Sequence, residues 1–141
     1  MRELGAKVGL SGPAVAERVR RLEERGIVRG YRAEVAPERV GLPVVAFVSL
    51  GVPYDIRPSG KFERVVQDIE AVVECYRITG EDAYLLKLAV PDMEALREAL
   101  DGLSEFGRVK TSVVLSVPKR PAPLRPRWQR SDAPISRHGA D

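Results

Sequence analysis

The side chains best suited to chemistry lie close together near the start of the chain: Ser11, Pro13, Ala14, Ala16, Glu17, Arg18, Arg20 and Arg21. A guanidinium can donate two parallel hydrogen bonds to guanine in the DNA major groove, so Arg20 and Arg21 are candidates for base edges or phosphates. Pro13, Ala14 and Ala16 are small enough to let a helix N-terminus come near the bases, and that terminus itself favours phosphate. Ser11 can donate to a phosphate, but its main expected task is to cap the helix. Arg18 sits nearer the apolar side and is expected to meet a phosphate or an internal partner. Lys7, Arg29 and Arg32 are further phosphate candidates. The same alternation of Arg and Glu also describes a solvated, salt-bridged face, so the stretch alone leaves both readings open.

The elements that must hold these residues can be read from caps and spacing. Ser11 is a good N-cap, Pro13 falls in the first turn where a missing N–H costs little, and Gly26 can take the left-handed conformation that ends a helix. Val15, Val19 and Leu22 form one apolar stripe, while Glu17, Arg20 and Glu24 point away from it. A shorter helix over Arg2 to Val8 precedes it, joined through Gly9 and Leu10. Two short helices about a glycine-containing turn, the second one basic, are the helix-turn-helix pattern. Ile27 to Val35 is rich in strand-forming residues and reads as a wing or linking strand.

Pro37, Gly41 and Pro43 then break regular structure and place a linker over 36–43. From Val44 the pattern is β-α-β-β-α-β: strand 44–52, helix 61–70 capped by Ser59, strand 72–78, turn 79–82, strand 84–90, helix after the Asp92 cap, strand 109–117. Phe62, Val65, Val66 and Ile69 should line the first of these helices, and Met93, Leu96, Leu100 and Leu103 the second. Val109, Val113, Leu115 and Val117 should share a face of the last strand. This is the ferredoxin-like order. The fold class is therefore α+β, a partial winged helix-turn-helix over 1–35 followed by a ferredoxin-like domain over 44–117. Two helices cover one face of such a sheet, yet the first strand is apolar on both, so a sheet-to-sheet homodimer is expected to bury the other. Residues 118–141, with five prolines and six basic residues, lack the apolar surface to offset ordering entropy and are expected to be a disordered tail.

Charge is unevenly spread. Residues 1–35 carry 8 Lys/Arg against 5 Asp/Glu, 36–117 carry 9 against 13, and 118–141 carry 6 against 2. Basic ends around an acidic middle suit contact with a polyanion at the ends. No run of about 18 apolar residues suggests a membrane span, no N-terminal signal is evident, and the lone Cys75 can form no internal disulfide, so a cytoplasmic location is expected. Enzymatic chemistry finds little support. The single histidine, His138, falls in the tail, and there is no Cys/His cluster for a metal and no glycine-rich phosphate loop. No catalytic residue, metal or cofactor is expected.

A helix-turn-helix joined to this β-α-β-β-α-β domain resembles the Lrp/AsnC family of bacterial and archaeal transcription regulators. The resemblance is carried by Val8-Gly9-Leu10-Ser11, by Ala14 to Glu23, by Gly26-Ile27-Val28-Arg29-Gly30-Tyr31 and by Ile78 to Lys87, and it covers roughly residues 1–117. In that family another helix ordinarily comes before the position of Met1, so by resemblance 1–35 holds the helix pair without its first helix. The resemblance implies double-stranded DNA as a partner, assembly into dimers with tetramers or octamers above them, and an amino acid or related small molecule as effector. It places the effector at the turn, on Thr79, Gly80, Glu81, Asp82 and Tyr84. Gly80 would let backbone N–H groups face a carboxylate, and Glu81 or Asp82 could meet an ammonium. Thr111 and Ser112 could face the same region. The family often carries an aromatic and an acidic residue before the position of Tyr84, where this chain has Asp82 and Ala83. Two alternatives stay open: an effector-binding module that has lost DNA binding, and an enzyme of the related sirohaem decarboxylase architecture, whose chemistry is associated with core histidines that this chain lacks.

Overall fold

The computed structural model describes residues 2–54 and 60–124. Helices α1 (Arg2–Val8) and α2 (Gly12–Glu24) form the N-terminal pair. Ser11 caps α2, its Oγ accepting from the Ala14 N–H at 3.4 Å. At the other end Gly26 takes φ +66°, its N–H donates to Glu23 O, and the Ile27 N–H reaches back to Leu22 O at 2.9 Å. These are the two bonds of a Schellman cap, which satisfies carbonyls that the helix leaves open. The turn between the helices depends on Gly5. A Cβ there would stand 2.5 Å from Leu10 O, and the Leu10 N–H donates to Gly5 O at 2.9 Å.

Residues 27–36 join no ladder and have no regular structure, so the strand expected over Ile27 to Val35 does not form. The residue types suit a strand, but no other strand of the described chain pairs with them. Ile27, Tyr31 and Val35 are left exposed. A 3₁₀ turn follows at Pro37–Val40 and ends at Gly41 in the left-handed region.

Four strands form an antiparallel sheet in the order β2-β3-β1-β4: β1 (Val44–Gly51), β2 (Val72–Arg77), β3 (Tyr84–Val90) and β4 (Arg108–Val113). α3 (Lys61–Val65) and α4 (Met93–Ser104) complete the ferredoxin-like order. Ala46, Val48 and Leu50 of β1 share a core with Tyr84, Leu86, Leu88 and Val90 of β3, Phe62 of α3, and Leu96 and Leu103 of α4. Asp92 caps α4, its Oδ1 accepting from the Ala95 N–H at 2.8 Å.

Several boundaries differ from expectation. The 61–70 helix is shorter: α3 tightens into a 3₁₀ turn at Val66–Asp68 and Ile69 is already extended. The β-branched pair Val65-Val66 is a weak helix former, and Val65 is exposed. The cap is Gly60 with no side-chain bond; Ser59 lies outside the described residues. Met93 of α4 is exposed instead of joining the buried stripe, since it sits on the first turn, ahead of the part that crosses the core. β4 stops at Val113 because its partner begins at Val44; the Val114 N–H makes one more bond to Val45 O, and beyond it Leu115 and Val117 have nothing to pair with and stay exposed. Val113 is exposed too. Of the expected disordered tail, 118–124 has no regular structure and 125–141 lie outside the described residues. In β2 the register shifts between Val72 and Glu74, so Val73 is bulged out of the ladder.

Candidate DNA-reading helix and effector turn

α2 presents Pro13, Ala16, Arg18, Arg20 and Arg21 to solvent, with Ala14 and Glu17 half-buried and Val15 turned into the helix pair. Ser11 is engaged as the cap. Glu17 organises the cations. Its Oε1 accepts from Arg21 Nε and from Arg20 at 2.9 Å each, and Arg20 also reaches Glu24. The guanidiniums of Arg21, then Arg20, hold the Glu17 carboxyl below its usual range. Both expected base-reading arginines are therefore paired within the helix, and Arg18 stands outside that network. The apolar side of the pair is incompletely covered: Leu4 is 46% exposed, Val8 55% and Leu22 37%. Lys7, Arg29 and Arg32 are exposed.

The 79–83 turn joins β2 to β3 and is closed by the Ile78 N–H donating to Ala83 O. Gly80 has φ +109°, where a side chain would be strained. Thr79 and Glu81 are exposed. Glu81 accepts from Arg108 at 2.5 Å, and Asp82 Oδ2 accepts from Lys110 Nζ at 3.0 Å. Arg108 holds the Glu81 carboxyl low, and Lys110 does the same for Asp82. Asp82 Oδ1 is buried and accepts no hydrogen bond among the described residues; Arg108 lies 3.6 Å from it. Gly51 leaves room for this oxygen, since a Cβ there would stand 3.3 Å away.

Tyr84 does not stand with the turn. Its ring is in the core, 4.7 Å from Phe62, and its hydroxyl donates to Glu63 of α3. Burial, and then the Glu63 carboxylate, push that hydroxyl up to about 12. Thr111 and Ser112 sit further along β4, opposite Val48 and Phe47, and the side chains that reach the turn from β4 are instead Arg108 and Lys110. Sequence reasoning missed both. The signal was the pairing of Gly51 with Arg108 and of Ser49 with Lys110, which exists only once β1 and β4 are in register. Among the described residues no group of histidine, cysteine or acidic side chains could hold a metal ion.

A doubly capped second helix that presents three arginines, joined to a ferredoxin-like domain, defines a helix-turn-helix regulator, and comparison with known proteins agrees. Residues 1–29 match the winged helix-turn-helix DNA-binding family, and residues 45–124 match the Lrp/AsnC ligand binding domain. The chain is 37% identical over 119 residues to the HTH-type transcriptional regulator LrpC of Bacillus subtilis, covering 82% of this chain and 79% of that one. It is 39% identical over 109 residues to LrpA of Mycobacterium tuberculosis, covering 77% and 72%. The solved LrpC structure superposes with a TM-score of 0.74 at 36% identity, covering 82% and 81%. A regulator from Neisseria meningitidis, NMB0573 in complex with L-methionine, gives 0.80 at 32%, covering 88% and 83%. The chain belongs to the Lrp/AsnC family. It is a DNA-binding, effector-responsive regulator of transcription and not an enzyme.

Proposed function

We propose that this regulator reads operator DNA with α2, works as a homodimer or a higher assembly of dimers in the cytoplasm, and responds to an amino acid bound at the 79–82 turn. The observation that carries the DNA reading is the exposed row of Pro13, Ala16, Arg18, Arg20 and Arg21 on a helix capped at both ends. Two such helices in a dimer would meet successive half-sites on one face of the duplex. The uncovered face of the sheet supports the dimer. It carries Phe47, exposed at its centre, flanked by the half-buried Val45 and Leu85, with a Lys87–Glu74 ion pair of 3.2 Å beside them. Burial of such a surface is the usual drive to association. Among the described residues no helix is long and apolar enough to cross a membrane, in keeping with work on DNA in the cytoplasm. The amino-acid effector is supported by the likeness to the methionine complex and by the charged groups around the turn.

The test is fluorescence anisotropy of the chain on its own upstream DNA, at two salt concentrations, with excess random duplex and with or without L-methionine. Binding that survives the competitor is expected. Binding that is salt-sensitive and erased by the competitor would favour a second reading, an effector module without sequence-specific DNA binding. That reading is favoured by the internal pairing of Arg20 and Arg21 and by the exposed Leu4, Val8 and Leu22.

A further inference from the structure

Two carboxylates on the turn meet two cations from β4, but the pairs are unlike. Asp82 is only 14% exposed and is fixed by Lys110. Glu81 is 74% exposed and its partner Arg108 is 56% exposed. An ion pair so open to water contributes little and exchanges readily. Both residues border an open hollow of about 400 Å³, together with Val52, Pro53, Tyr54 and the backbone of Gly51 and Gly107. The hollow is shallow and open to solvent, so it would cover one side of a small ligand. It offers one apolar wall and, at its edge, one guanidinium paired with the Glu81 carboxylate. A guanidinium binds a carboxylate through parallel N–H donors, a geometry a free amino acid can supply as well as Glu81 can.

We propose that Arg108 receives the α-carboxylate of an apolar amino acid, and that Glu81 stands in for that carboxylate in the ligand-free protein. The inference rests on the effector reading above. It assigns the turn's acids different tasks. Asp82 is a positioning residue, lying 3.6 Å from Arg108, and Glu81 is an internal competitor that sets the effector concentration needed. The effector's side chain would lie against Val52, Pro53 and Tyr54.

The experiment is calorimetric titration of the full chain with L-methionine, N-acetyl-L-methionine and L-methionine amide, on the wild type, Glu81→Gln, Arg108→Gln and Arg108→Lys. Arg108→Gln is expected to weaken methionine about tenfold or more, the scale of a lost charge-assisted bond. Arg108→Lys should recover part of the loss, and Glu81→Gln should bind several-fold tighter than the wild type. The amide, which lacks the carboxylate, should bind wild type and Arg108→Gln equally weakly. The N-acetyl compound should keep its dependence on Arg108. Thermal melting checks that each variant folds; if Arg108→Gln does not, the amide on the wild type puts the same question through the ligand. Equal methionine affinity in wild type and Arg108→Gln, or an amide that binds as tightly as methionine, overturns the Arg108 assignment. An unchanged or weaker Glu81→Gln overturns the stand-in role. Wild type and Glu81→Gln are titrated with the other standard amino acids as well; if neither binds any of them, the effector reading itself fails and this inference falls with it.

Discussion

The helix pair and the sheet domain are held together in different ways. The sheet domain closes around side chains from all four strands and both of its helices, and Val48, Leu50, Leu86, Leu88 and Leu103 are fully buried. In the helix pair, among the described residues, Val15 is the only buried apolar side chain, and the helices rest on backbone approach at Gly5 and on good caps. One region is built on buried area and the other on local geometry. The difference teaches where each is vulnerable: the sheet to lost volume, the helix pair to added volume.

The largest effect should come from Leu86→Ala, which removes a fully buried side chain and should cost about 2–5 kcal/mol in urea denaturation followed by far-UV circular dichroism. A loss below about 1 kcal/mol would mean that the core is not closed as described. Gly5→Ala adds one methyl group against Leu10 O and should cost about 1–3 kcal/mol, as overpacking does. Hydrogen exchange should locate that loss in α1 and α2 and leave the strands protected. Protection lost throughout would show that the two regions are not separable. Tyr84→Phe should cost about 1.5 kcal/mol through its bond to a charged acceptor. The wild type carries a pH signature there. The hydroxyl's folded pKa is raised, so its contribution is fully present below the ordinary value of 10 and is lost as pH rises through about 12. Denaturation midpoints of wild type and Tyr84→Phe should converge across that window. Glu17→Gln should have the smallest effect on stability, with no resolvable change in melting, because its ion pairs are exposed. Its effect should fall on DNA instead. With Arg20 and Arg21 released, the slope of log affinity against log salt should steepen by about one, and an unchanged slope would show that the arginines already leave Glu17 on binding.

How much of this was legible in the sequence depended on how local each signal was. The caps at Ser11, Gly26 and Asp92 act over three or four residues, and each is where the sequence places it. The alternation in Tyr84–Val90 fixed which face of β3 is buried, because one face of a sheet has to meet the helices. Strand ends depended on partners instead. Val109 to Val117 reads as one strand, but β1 is long enough to pair only part of it. Ile27 to Val35 has the composition of a strand and nothing to pair with. At the turn, Gly80, Glu81 and Asp82 were visible as a motif, whereas Arg108 and Lys110 come from 26 or more positions away and depend on register. Tyr84 depends on both kinds of signal: its place in the β3 alternation sends the ring inward, whereas the partner of its hydroxyl, Glu63, comes from α3.

The bulge at Val73 bears on how the sheet guards its open edges. A sheet of this order has two open edges, β2 and β4, and each is a template for a further strand. At β2 the shifted register breaks the even row of backbone donors and acceptors that a flat newcomer would need. Runaway edge-to-edge stacking needs both sides of the sheet to accept a neighbour, and here one side is spoiled by a single extra residue. A flat strand from another chain is therefore a poor fit at that edge, which guards it against this kind of aggregation.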